Sequence, residues 1–215
     1  MLSPLPLLLL PGLLLAQQSG LAIVGGYGAG AEAGAPTSAE LWAPLDPGGC
    51  NCSLPSLPRE MFDPTLDLWQ DKLIACYGLS CEQLTLSGWQ HWRTTLYSRF
   101  FHTSAVTSQG LLLVGGAGSP TTAELLPWNG EEGREAFTLQ DKRISHCSIH
   151  TSPTSLVLTG GEYTSSLATE YTGLGAGEEV TSRELPPLLH PRYHHACGWY
   201  SVGDSQVRLV TSCPL

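Results

Sequence analysis

Ligand-capable side chains are densest in His190-Pro-Arg-Tyr-His194-His195-Ala-Cys197. His195 and Cys197 stand two residues apart, so an extended strand would turn both to one face, as a pair of metal ligands requires. Zinc accepts Cys and His, yet a structural zinc site closes with four ligands, and no second cluster of matching spacing occurs in the chain. Other chemistries leave weaker traces. There is no Gly-x-Ser-x-Gly elbow for a serine hydrolase and no Gly-x-x-x-x-Gly-Lys phosphate loop. Gly25-Gly-Tyr-Gly28-Ala-Gly30 is glycine-rich, but it leads into an Ala/Gly/Pro loop where a dinucleotide fingerprint would open a helix. No catalytic residue, metal ligand or cofactor is assigned.

More informative is a set of residues that recurs. Arg99-Phe-Phe-His102, Arg143-Ile-Ser-His146 and Arg192-Tyr-His-His195 share the pattern Arg-x-x-His. Each precedes, by 12 to 15 residues, a short apolar run: Leu111-Leu-Leu-Val-Gly-Gly116, Leu156-Val-Leu-Thr-Gly-Gly161 and the degenerate Val207-Arg-Leu-Val-Thr-Ser212. Two earlier runs, Leu21-Ala-Ile-Val-Gly-Gly26 and Leu73-Ile-Ala-Cys-Tyr-Gly78, extend the series, with Arg59-Glu-Met-Phe62 standing before the second without its His. Starts of the five runs are 52, 38, 45 and 51 residues apart. Four apolar residues suit a buried strand and are too few for a helix. The pairs Gly25-Gly26, Gly115-Gly116 and Gly160-Gly161 free the backbone for tight turns and close approach. A small or β-branched residue before Glu follows each pair, at Glu40, Glu124 and Glu170, and Ser80-Cys-Glu82 takes that role in the second repeat.

This ordered set, recurring in register over residues 21–215, resembles the kelch repeat. The resemblance implies an all-β fold, a kelch-type β-propeller built of four-stranded blades. The apolar run would be the second strand and the Glu segment the third. Arg-x-x-His would lie on the first strand, lining the channel. Repeats fall at about 21–58, 59–98, 99–142 and 143–191, with a partial one at 192–215. That makes about four blades plus a partial one: an open or truncated arc, or a closed four-blade ring if the 192–202 strand completes the first blade. Arg99, His102, Arg143, His146, Arg192 and His195 then read as residues that hydrogen-bond between blades, the Arg reaching the third-strand Glu or backbone carbonyls at blade junctions. Copper propeller oxidases of the galactose-oxidase type are kelch-like in fold, which makes a metal-dependent enzyme or its degenerate relative the alternative function. No segment reproduces their motif, and the sialidase box Ser-x-Asp-x-Gly-x-Thr-Trp is absent.

Composition agrees with a turn-rich β protein. Gly and Pro together make 40 of 215 residues (24 plus 16), which disfavours helical bundles. The net charge of −9 excludes a basic nucleic-acid binder and favours basic or uncharged partners. Met1 to Ala16 is a Leu-rich run ending in a small residue, the form of a cleaved signal peptide over residues 1–16. No later run is apolar for long enough to span a membrane. Seven cysteines in such a chain point to an oxidising compartment, and an odd number leaves at least one free or joined to another chain. Cys76 and Cys81 are placed to staple a hairpin. Cys147 and Cys197 could bridge adjacent blades, although their one-position offset after His146 and His195 would turn them to opposite faces. Asn51-Cys52-Ser53 is a glycosylation sequon, so Asn51 is a candidate acceptor. The expectation is a secreted, non-enzymatic module that binds an extracellular protein or glycan through its loops, with self-association possible through open propeller edges.

Overall fold

The structure, a computed structural model, describes residues 21–24, 37, 39–42, 51–162, 165–175, 177–202 and 205–210. The signal-peptide segment 1–16, Gly25 and Gly26 lie outside the described residues, as do the side chains of Glu40 and Asn51. All secondary structure described is β. The strands are β1 (Leu21–Val24), β2 (Ala39–Trp42), β3 (Asn51–Ser53), β4 (Thr65–Trp69), β5 (Lys72–Thr85), β6 (Gly88–Arg99), β7 (Thr103–Val106) and β8 (Gly110–Val114). They continue with β9 (Thr122–Pro127), β10 (Arg134–Thr138), β11 (Cys147–Ser152), β12 (Ser155–Thr159), β13 (Ala168–Thr172), β14 (Thr181–Leu185), β15 (Cys197–Val202) and β16 (Ser205–Val210).

These strands form successive antiparallel sheets, each a meander in chain order: β1-β2-β3, β4-β5-β6, β7-β8-β9-β10, β11-β12-β13-β14 and β15-β16. The opening strands of neighbouring sheets lie beside one another, β4 by β7, β7 by β11 and β11 by β15. The sheets therefore pack face against face, with opening strands together and the last strands outward. Burial follows that order: β8 and β12 are buried throughout, whereas β10 and β14 are largely exposed.

Burial on both faces explains the unbroken apolar runs. Successive side chains of a strand point to opposite faces. In β8, Leu111 and Leu113 pack with Ile74, Cys76 and Cys81 of the preceding sheet. Leu112 and Val114 pack with Leu156, Leu158 and Tyr171 of the following sheet. A third cluster, Ala39, Leu57, Met61, Ala75 and Trp89, joins the first two sheets. Each fully buried aliphatic side chain contributes about 1.5–3 kcal/mol, so polar alternation is lost wherever neighbours cover both sides.

The second sheet contains a fold-back. β5 pairs with β4 through Lys72–Cys76 and with β6 through Gly78–Thr85. Five extended residues would span about 17 Å, yet the Cα atoms of Cys76 and Cys81 are 4.0 Å apart and their sulfurs are bonded. The chain reverses around Gly78, whose φ of +63° suits glycine. The expected hairpin staple is present.

Cys147 and Cys197 are also disulfide-bonded, with Cα atoms 6.0 Å apart. The offset that argued against this bridge governs residues of one strand, whereas these two lie on the facing strands β11 and β15. Among the described residues β15, the strand of the 192–202 segment, pairs with β16 in a two-stranded sheet and not with β1.

The glycine pairs join sheets. Gly115 and Gly116 have φ of +61° and +90°, and Gly160 and Gly161 have +62° and +91°. Gly116 N–H donates to Arg143 O at 2.7 Å and Gly161 N–H to Arg192 O at 2.8 Å. One residue on, Ala117 N–H donates back to Phe100 O at 2.7 Å and Glu162 N–H to Ile144 O at 2.9 Å. Each turn is thereby bonded to the Arg-x-x-His turn of its own sheet and to that of the next. A Cβ on Gly160 would lie 2.4 Å from Arg192 O and 2.7 Å from His195 Cε1. Gly160→Ala is expected to cost about 2–4 kcal/mol, read from urea midpoints. Gly177→Ala, at φ of +77° with nothing within 4 Å, should cost only about 1 kcal/mol.

Candidate functional site

The Arg-x-x-His segments are not on the opening strands. They form the turns leading into β7, β11 and β15, because the residue before each His has a left-handed backbone: Phe101 (φ +57°), Ser145 (+55°) and His194 (+47°). Such values are rare outside glycine and break the extended conformation. The three turns are bonded in series, Ser145 N–H to Phe101 O at 2.9 Å and His194 N–H to Ser145 O at 2.8 Å.

Arg99 is fully buried beneath its turn. Its guanidinium donates to Gly115 O (2.8 Å), Ser119 O (3.0 Å), Thr122 O (3.1 Å) and Thr122 Oγ1 (2.7 Å), and Nε approaches Glu124 Oε2 at 3.4 Å. Glu124, equally buried, accepts from Leu96 N–H at 2.6 Å. Burial pushes Arg99 down and Glu124 up in pKa; their mutual attraction opposes both shifts, and the Leu96 N–H opposes that of Glu124. Arg59 repeats the arrangement in the second sheet, donating to Tyr77 O (3.0 Å) and Ser80 O (3.2 Å) with Glu82 at 3.8 Å. Arg143 keeps the carbonyls, Gly160 O (2.6 Å) and Leu167 O (3.1 Å), and adds Thr169 Oγ1 (2.9 Å). It does not pair with Glu170, which instead accepts from Arg183 on the outer strand. Among the described residues Arg192 enters this scheme through its carbonyl, bonded to Gly161.

The histidines stitch the same junctions. His102 Nε2 meets Thr65 Oγ1 at 3.4 Å and His146 Nε2 meets Thr103 Oγ1 at 2.8 Å, in each case at the first residue of the preceding opening strand. In the next sheet that first residue is Cys147, and its bond to Cys197 stands where the His–Thr contact would be. His195 turns instead to Thr159 Oγ1 at 3.0 Å. Burial first, then the neighbouring Arg99 and Arg143 guanidiniums, lower the His102 and His146 pKa values to about 3. Burial also lowers His195. Asp67, which accepts from Ser104 Oγ at 2.5 Å, is raised by burial to about 6. Cys197 is spent in a disulfide, so it offers no thiolate to a metal beside His195. Among the described residues no group of three or more His, Cys, Asp or Glu is placed to hold a metal.

Sequence reasoning missed the exposed edge of these turns. Ser145 Oγ lies 3.1 Å from His194 Nε2. The His194 ring stands edge-on to Phe101 with centroids 5.2 Å apart and to Tyr193 at 5.5 Å. Burial raises the pKa of the Asp63 carboxyl, against a smaller lowering from the side of His194. The only prior signal was the density of ring residues in the variable positions of Arg-x-x-His. At the opposite ends of the strands, Gln109, Arg134, Phe137, Leu174, Glu178 and Val180 line a cleft of about 180 Å³. Its polar groups already bond to each other, Gln109 Nε2 to Leu174 O at 3.1 Å and Arg134 to Gln109 Oε1 at 3.4 Å.

No family model and no curated protein matches the chain. The solved structure of YjhT shares its fold, with a TM-score of 0.67 at 10% identity, covering 84% of this chain and 68% of that one. At that identity the likeness is one of fold alone.

Two consequences are measurable. Glu124→Gln leaves Arg99 buried without its counter-charge and should cost about 3–5 kcal/mol, whereas Glu170→Gln, whose partner Arg183 is exposed, should cost about 1 kcal/mol by urea unfolding. The histidines predict acid sensitivity. Between pH 6.5 and about 3 the unfolded chain binds protons that His102 and His146 refuse in the folded state. Their contribution is complete above pH 6.5 and falls by about 1.4 kcal/mol per pH unit for each below it. Asp67, protonated when folded and ionised when unfolded between 3.8 and about 6, offsets about one histidine within that window, and the raised Asp63 and Glu124 act in the same sense. Stability should therefore drop most steeply just below neutrality, and His146→Gln should flatten that drop.

Proposed function

We propose that the chain is a secreted kelch-type β-propeller of about four blades plus a partial one, and that it is an extracellular binding module without catalysis. The single observation that carries this reading is where the chemistry-bearing residues of the repeat go. The Arg99 and Arg143 guanidiniums donate to carbonyls inside the fold, Nε2 of His102, His146 and His195 each meets a threonine hydroxyl, Glu124 holds Arg99, and Cys197 is bonded to Cys147. The exposed ends of the turns remain to meet a partner, an extracellular protein or glycan, as loops on a rigid scaffold commonly do. Two disulfides are compatible with an oxidising compartment. The acidic balance, −9 overall, supports a partner that is neither nucleic acid nor an anionic surface. Self-association would run through the edges of β1 and β16, which have no further paired strand among the described residues.

The alternative is a metal-dependent propeller enzyme of the galactose-oxidase type or its degenerate relative, for which the exposed Tyr193 beside His194 would be the phenol at hand. The full chain expressed in mammalian cells should appear in the medium beginning near Gln17, with both disulfides formed and no stoichiometric copper or zinc by elemental analysis. Retention in the cytosol, or one copper per chain, would overturn the reading.

A further inference from the structure

We propose that Phe101, Ser145, Tyr193 and His194 bind a neutral pyranose sugar, an inference that rests on the binding-module reading above. The sheet-joining role of these turns uses backbone atoms: Phe101 O, Ser145 N–H and O, and His194 N–H. It does not require a phenyl, a hydroxyl or an imidazole at those positions. Their left-handed backbones would be occupied at lower cost by Gly or Asn, since each non-glycine residue there costs about 1–3 kcal/mol. Side chains kept at three strained, hydrogen-bonded positions in succession converge on one another: the His194 ring touches Phe101, and its Nε2 touches Ser145 Oγ. Tyr193 is 44% exposed and His194 is exposed, so the cluster meets solvent.

A pyranose carries an apolar C–H face and a rim of hydroxyls. Phe101 and Tyr193 offer ring surface to the first. Ser145 and His194 offer donors and acceptors to the second. The charge selects among sugars. The exposed Glu162, whose N–H bonds Ile144 O beside Ser145, belongs to a chain of net charge −9, so an acidic sugar is repelled. Size selects against a protein partner at this cluster alone, because a stable protein interface takes about 800 Å² from each side.

The test titrates the full secreted chain with methyl glycosides of glucose, galactose, mannose and N-acetylglucosamine, and with sialyllactose, followed by saturation-transfer NMR. Tyr193→Ala and Ser145→Ala are compared with the wild type at equal melting temperature. A neutral glycoside bound by the wild type and weakened about tenfold or more in both variants is the expected result. Undiminished binding in the variants would overturn the site while leaving the module intact. A preference for sialyllactose would overturn the sugar class. No binding to any probe would overturn the sugar inference, and the elemental analysis of the same sample decides separately whether the non-enzymatic reading falls with it.

Discussion

Everything in this fold depends on a backbone contact that a side chain would forbid. At the two junctions built on Gly115-Gly116 and Gly160-Gly161 the second glycine donates its N–H to the carbonyl of the next repeat's Arg, and the residue after it donates back to its own turn. With Cβ positions 2.4 Å from the Arg143 and Arg192 carbonyls, only glycine lets the two turns meet. Once they meet, the guanidinium is carried under the turn, where it reaches several carbonyls at once. The buried Arg99 is then tolerable, because its donors are satisfied and a buried carboxylate balances its charge. The imidazole three residues later closes the same junction against a threonine hydroxyl. The covalent bridge Cys147–Cys197 replaces that last contact at one junction, so a hydrogen bond and a disulfide serve the same position in successive repeats.

Repetition made much of this legible in sequence. The apolar runs announced strands buried on both faces, and the Glu following each glycine pair marked the neighbouring strand, because such patterning is local and periodic. Less legible was how each Arg-x-x-His would be used. An extended strand was the natural reading of Arg99 to His102, and the left-handed conformation of Phe101 overturns it; nothing in a Phe, Ser or His advertises a positive φ. The separate fates of Glu124 and Glu170 were equally hidden. Both sit at the same repeat position, but Arg183 on the outermost strand captures Glu170, leaving Arg143 to carbonyls and Thr169. Pairing of Cys147 with Cys197 could not be read from alternation, because alternation relates residues of one strand and is silent about two strands facing each other.

The functional surface follows from the same geometry. Where the turns meet in series they bring variable residues of three repeats into contact, although these are about 45 residues apart in sequence. A constellation of Phe101, Ser145 and His194 is invisible to motif reading because its members are non-consecutive and each occupies a different repeat. With YjhT the chain shares the fold alone.

The central claim is that the glycine–arginine junctions form one cooperative lattice and do not act as independent local turns. Native-state hydrogen exchange of the amides of Gly116, Ser145, Gly161 and His194 tests it most directly. The account predicts that all four exchange only through global unfolding, with a common free energy that shifts together when Gly160 is replaced. Exchange of these amides at separate, lower free energies, with a change confined to Gly161 and His194 in that variant, would contradict it.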